Sequence, residues 1–189
     1  MGITSDFIPV ENLNPLAGAN TRSADLVADP EVPEAAVRAV LDYIRLLAPP
    51  RPAEVTGELA RGRDLFGSVG CSGCHTPVLR TGSHAVAALA FREVHLYSDL
   101  LLHDLGAELS DGRPDGDAGA AEWRTAPLWG LRVMRDFLDG DAFLLHDGRA
   151  GSVEEAVLLH GGEAEGVRAA FVALDGSDRS ALLRFVETR

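Results

Sequence analysis

The sequence predicts an all-α fold, and three observations predict it. Apolar residues recur at helical spacing in five separate segments, roughly 33–47, 57–69, 151–160, 163–174 and 177–188. Several of these segments carry start and stop signals of helices. The stretches between them are rich in Gly, Pro and Asp and read as loops. The chain has 189 residues, 46% of them hydrophobic, which suffices for one ordinary domain plus an extension. Only 6% are aromatic and 20 are Gly, which suits a loop-rich fold whose interior is partly filled by something other than side chains.

The elements follow in order. Residues 1–30 are mixed polar, with Pro9, Pro15, Gly18 and Pro30, and read as irregular. "PEVPEAAVRAVLDYIRLLAPPRP" is a helix opened by Pro33 and stopped by Pro49 and Pro50. Val37, Val40, Leu41, Ile44 and Leu47 lie on one side, so one face is expected to be buried. The Pro-rich "APPRPAEV" is a linker, which divides the chain into a segment with one helix, 1–52, and a domain, 53–189. "TGELARGRDLFGSVG" is a second helix with Leu59, Gly62, Phe66 and Val69 on one face. Gly62 weakens the helix there, and its use is to let another backbone come close.

From 76 to 150 the chain is read as mostly loop, including the Gly- and Asp-rich excursion "DGRPDGDAGAAE". "GSVEEAVLLHGG" is a short helix with Ser152 and Glu155 as a capping box and Gly161 and Gly162 as its C-terminal break. Two more helices close the chain, separated by Asp175 and Gly176. The last presents Leu182, Phe185 and Val186 on one face.

Net charge is −12, which makes nucleic acid and anionic membrane surfaces poor partners, since both call for clustered Lys and Arg. A basic protein partner fits better. No run approaches the ~18 apolar residues of a membrane span. The N-terminal residues have no basic n-region followed by an apolar one, so they do not read as an export signal.

Both cysteines of the chain lie in "VGCSGCHTP". A structural zinc centre needs about four ligands, and no second pair accompanies Cys71 and Cys74. A thioredoxin-type dithiol expects a βαβ context, whereas a helix leads in here. C-x-x-C-H also marks covalent attachment of haem c. Two residues between the cysteines match the distance between the haem vinyl groups, and the adjacent His75 then serves as an axial ligand through a neutral imidazole nitrogen. The candidates for the sixth ligand are Met134 and the histidines at 84, 95, 103, 146 and 160. Met134 offers a thioether. His160 ends a capped apolar helix, and the two glycines beside it leave room for a large planar group.

Five stretches together, "GRDLFGSVGCSGCHTP", "LYSDLLLHDLG", "EWRTAPLWGL", "FLLHDGRAGSVEEAVLLHGGEA" and "ALLRFVET", resemble the C-terminal part of the bacterial di-haem oxidoreductases. These are peroxidase-like proteins, sometimes labelled thiol oxidoreductases, and relatives of the di-haem cytochrome c peroxidases. The resemblance is strong over 53–189, while the first helix and the residues before it resemble the segment that joins two haem domains. In the related peroxidases the sixth ligand follows the histidine of an H-D-G by 14 residues. Counting on from His146 reaches His160, where those proteins have Met. The resemblance therefore implies His75 and His160 as iron ligands, and a lower potential than His/Met ligation gives. It implies Arg124 as a partner for a haem propionate, Trp123 and Trp129 near the ring, and hydrogen-bonding roles for Tyr97 and His103.

The expectation from residues and resemblance together is an all-α, cytochrome c-like haem domain with long loops and an N-terminal helical extension. It carries one covalent haem c and transfers single electrons to a second haem. With both axial positions filled the chain alone is a poor enzyme, and oxidoreductase activity of the cytochrome c peroxidase kind belongs to the full-length context. The expected partners are a basic electron-donor protein and an N-terminal haem domain, which this chain lacks as if truncated. The expected location is the periplasm. The rival readings are a stand-alone haem peroxidase with an open iron site and a zinc-binding structural module.

Overall fold

The computed structural model describes residues 3–9 and 27–189. The irregular stretch read over residues 1–30 therefore lies largely outside the described residues. The chain forms two compact units, Met1–Ala48 and Pro49–Arg189.

The first unit contains helix α1, Glu34–Leu46. Pro33 supplies no side-chain cap, so the free amide of Glu34 donates to Asp6 Oδ2 at 2.7 Å instead. Thr4 anchors the same segment: its amide donates to Glu31 Oε2 at 2.8 Å, and its carbonyl accepts from Val32 N at 3.1 Å. The expectation of a buried α1 face is corrected, because no residue of α1 is buried and Val40, Ile44 and Leu47 are all more than half exposed. Helical spacing of apolar residues states which side would pack; burial needs an opposing layer. The other described residues of this unit leave Phe7 and Ile8 themselves 49% and 59% exposed.

In the second unit, α2 (Glu58–Val69) and α6 (Gly176–Glu187) cross at Gly62. A β-carbon on Gly62 would stand 2.1 Å from the Ala181 carbonyl oxygen and 2.6 Å from Phe185 Cβ, so the glycine is what permits the approach. Phe66, Val69, Tyr97, Phe171, Leu182, Phe185 and Val186 form the core around the crossing. Phe66, Tyr97 and Phe185 meet edge-on in a triangle, with ring centroids 5.6–6.0 Å apart.

The all-α, cytochrome c-like expectation is overturned. Between α2 and the C-terminal helices stand two antiparallel two-stranded sheets, so the fold is mixed α/β. Strand β1 (Leu79–Arg80) pairs with β2 (Glu93–Val94). Strand β3 (Leu102–Asp104) pairs with β4 (Glu122–Arg124), placing His103 opposite Trp123. Each strand is two or three residues long, too short to show an alternation in the sequence. Their hydrogen bonds fix the long loops from 76 to 130 rather than build a core.

Helix α3, Leu131–Phe137, falls within the stretch read as loop. Helix α4, Val153–Leu159, starts as its sequence predicts: Ser152 Oγ accepts from Glu155 N, and Glu155 in return accepts from Gly151 N at 2.8 Å. Helix α5, Glu165–Val172, contributes Phe171 to the core, and Asp175 caps α6.

Candidate functional site

The site begins where α2 ends. Gly70, at φ 105°, takes the left-handed conformation that stops the helix. The chain then tightens into a single 3-10 turn over Cys71–Gly73, and the His75 amide donates to the Cys71 carbonyl at 3.0 Å. This turn puts both thiols and the imidazole at the end of a helix that Phe66 and Val69 hold in the core.

Neither cysteine is in a disulfide. Burial pushes the Cys71 thiol up to about 11. Burial also raises Cys74, and the carboxylates of Asp99 and Glu163 add to the effect. Both sulfurs are therefore protonated at neutral pH, which suppresses thiolate-driven oxidation and exchange.

The residues 96–101 pass along this turn and orient it. Asp99 N donates to the Cys74 carbonyl at 2.9 Å, and Ser98 N to the Thr76 carbonyl at 3.0 Å. Buried Ser98 donates through Oγ to Thr125 O at 2.8 Å. Tyr97 has φ 55°, an uncommon conformation for a residue with a large side chain. Its ring is fixed in the aromatic triangle, and its carbonyl lies 3.0 Å from His75 Nδ1. Nδ1–H donating to this carbonyl leaves the Nε2 lone pair free. Burial lowers the His75 pKa; the carbonyls of Tyr97 and Ala126 and the charge of Asp99 oppose this, while His160 adds to it. The neutral imidazole, the form able to bind a metal, is thus the one present at neutral pH.

His160 is 85 residues from His75 in sequence, and its charge still acts to lower the His75 pKa. It is the C-cap of α4, and its Nδ1 lies 2.6 Å from the Ala156 carbonyl, so here too Nε2 is left available. Gly161 and Gly162 lie flat on the backbone just after β3. A β-carbon on Gly162 would stand 2.3 Å from the Asp104 carbonyl oxygen, and one on Gly161 2.9 Å from that of Leu105. The glycine pair that the sequence suggests as room for a planar group is used instead to seat the His160 loop on residues 104–106.

The other candidates stand apart from this arrangement. Met134 is half-buried in α3. His84 and His95 are exposed. His146 is exposed and stacked on Trp123, with ring centroids 3.4 Å apart and planes within 10°. Arg124 is exposed at the end of β4 and lines a cavity of about 470 Å³ together with Leu102, Asp111, Arg113 and Trp123. Neither cysteine, His75 nor His160 lines that cavity, so the chemistry is assigned to the thiol–imidazole cluster rather than to the cavity. Trp129 is 37% exposed in the turn before α3.

Sequence reasoning missed Asp99 and Glu163. His103 lies between them, with Nε2 2.9 Å from Asp99 Oδ2 and Nδ1 2.9 Å from Glu163 Oε2. Cys74, Asp99 and His103 bring three atoms of metal-ligating type within 4.8 Å of one another. Both His103 nitrogens, however, face carboxylates, which raise its pKa, Glu163 foremost. With both ring nitrogens already engaged by carboxylates, the cluster is read as a hydrogen-bonded network rather than a metal site.

The family described as "Di-haem oxidoreductase, putative peroxidase" matches residues 11–189. No curated protein matches the chain. Among solved structures the chain is similar to the hydrazine synthase of Kuenenia stuttgartiensis pressurised with 20 bar of xenon, at 17% identity and a TM-score of 0.49. That match covers 82% of this chain and 55% of the other, so this chain spans about half its length. The family match extends over both thiols, both carbonyl-tethered histidines and the loops that hold them, and on it the chain belongs to the di-haem oxidoreductases.

Proposed function

We propose that this chain binds one haem c covalently and transfers single electrons within a di-haem oxidoreductase. Cys71 and Cys74 would hold the group through thioethers, and His75 and His160 would be its axial ligands. The observation that supports this reading is the matched tethering of the two imidazoles: each has Nδ1 on a main-chain carbonyl, at 3.0 Å and 2.6 Å, and each keeps Nε2 for a metal. The donor set fits the group, because two free thiols and an adjacent imidazole at one turn, with a second imidazole whose Nε2 is left available, are what covalent attachment with bis-histidine ligation requires.

When bound, the group supplies a one-electron couple. The chain's own residues orient and shield it. Tyr97 fixes the His75 ring, the α4 terminus fixes His160, and the Phe66–Tyr97–Phe185 triangle keeps water from the inner side of the turn. Arg124 would pair with a propionate and Trp129 would pack near the ring, both on the family resemblance alone. The donor is a basic protein matching the net charge of −12, and a second haem, on another domain, is the acceptor. Covalent haem attachment of this kind supports a periplasmic location for the mature protein.

The test is the ferric spectrum of the matured protein before and after His160→Ala. Low-spin lines in the wild type and high-spin lines in the variant support the assignment. High-spin lines already in the wild type favour a stand-alone peroxidase with an open position, and a spectrum unmoved by the substitution removes His160 as ligand.

A further inference from the structure

The Asp99–His103–Glu163 network lies between the two ligand loops, and none of its members is used as a ligand. On one side, Asp99 belongs to the cysteine turn: its amide donates to the Cys74 carbonyl at 2.9 Å. On the other, Glu163 follows His160 by three residues, and its second oxygen, Oε1, accepts from Asp104 N at 3.0 Å. His103, in β3, is bonded to both carboxylates at 2.9 Å and is only 18% exposed in its side chain. Its position is fixed by pairing with Trp123 across the sheet.

The two sides, at Asp99 and Glu163, are 64 residues apart along the chain. The His160 loop is seated on residues 104–106 by glycine backbone contact, which excludes side chains but supplies little directional force. The directional contacts in this region come from Glu163 to Asp104 and to His103.

We infer that His103, bridging Asp99 and Glu163, is a positioning residue that holds the His160 loop against the cysteine turn and so keeps the sixth ligand on the iron. The inference rests on the reading of His75 and His160 as axial ligands. The third side of the strut is backbone, since Leu101 N donates to Asp99 Oδ1 at 2.9 Å and fixes the carboxylate that His103 pulls on. Removing His103 leaves Glu163 on the Asp104 amide, whereas removing the Glu163 carboxylate cuts both contacts and frees the loop further.

The experiment is the rate at which added imidazole enters the sixth position of the haem-loaded ferric protein, followed by its visible spectrum. Glu163→Ala should raise that rate by about tenfold or more, His103→Ala should raise it by less, and the double variant should do no more than Glu163→Ala alone. Glu163→Gln keeps one carbonyl oxygen of the two and should fall between. Arg184→Ala, which removes the surface ion pair with Glu58 (3.1 Å) away from the site, should lower stability slightly and leave the rate unchanged. Glu163 is an exposed carboxylate, so its variant serves if His103→Ala does not fold. Wild-type entry rates in Glu163→Ala overturn the strut. A spectrum unmoved by His160→Ala overturns the ligand assignment itself and the strut with it, and the two failures are told apart by that variant.

Discussion

The carbonyl oxygen of Tyr97 lies 3.0 Å from Nδ1 of His75, and Tyr97 holds a left-handed backbone to place it there. That conformation costs about 1–2 kcal/mol in a residue with a β-carbon. The cost is offset because the same residue puts its ring between Phe66 and Phe185. Core packing by the ring and orientation of the His75 imidazole by the backbone carbonyl are thus joined in one residue. Tyr97→Ala should destabilise the haem-loaded protein by about 3 kcal/mol in denaturant unfolding, and it should also release the His75 ring, seen as a shift in the reduced spectrum. Loss of stability with an unaltered spectrum would contradict the coupling.

Two glycines of the same helix should respond in opposite ways. Gly62→Ala drives a methyl into the Ala181 carbonyl and should cost about 2–3 kcal/mol. Gly67 has open space around its would-be β-carbon, and Gly67→Ala should stabilise by about 0.5–1 kcal/mol through helix propensity. Urea midpoints of the two variants check this; equal effects would remove the close crossing of α2 and α6.

The ion-pair network predicts a pH window. Glu163 and Asp99 raise His103 above its ordinary 6.5, so its contribution is complete below 6.5 and is lost as pH rises through the folded value. Both carboxylates are held below their ordinary values. His103 and the Asp104 amide lower Glu163; for Asp99, burial pushes upward and the Leu101 amide with His103 outweighs it. Their contribution is present above 3.8–4.5 and is lost as pH falls through the folded values. The network therefore stabilises most between 4.5 and 6.5. Melting temperatures of wild type and His103→Ala should converge as pH rises from about 6 to 9. Parallel curves would show that His103 does not titrate in this range.

The acidic surface makes a kinetic prediction. Electron transfer from a basic donor should slow by tenfold or more between low and physiological salt, within the roughly 10–10³ range of electrostatic steering. Stopped-flow rates against ionic strength measure it, and a flat profile would contradict docking by charge.

Much of the helical frame was legible because its signals are local. Ser152 and Glu155 state where α4 starts, Gly62 states a close approach, and Leu182, Phe185 and Val186 share a face that is buried. Local signals fail where partners are distant. The strands are too short for periodicity, and α3, at seven residues, is shorter than the window that reveals a helix. The face of α1 shows the converse error, a clear apolar stripe with no residue buried. The pair Glu163–His103 spans 60 residues, and nothing near either residue names the other. Asp99 and His103, four apart, have the spacing of a helical pair, yet they meet across the turn leading into β3. The cysteine turn was readable since its chemistry is contained within five residues, 71–75.

The most direct test of the account is the mass of the denatured, matured polypeptide, with thiol alkylation under the same conditions. The account predicts the chain plus one haem, with Cys71 and Cys74 both blocked. An unmodified chain that takes up two alkyl groups would contradict it.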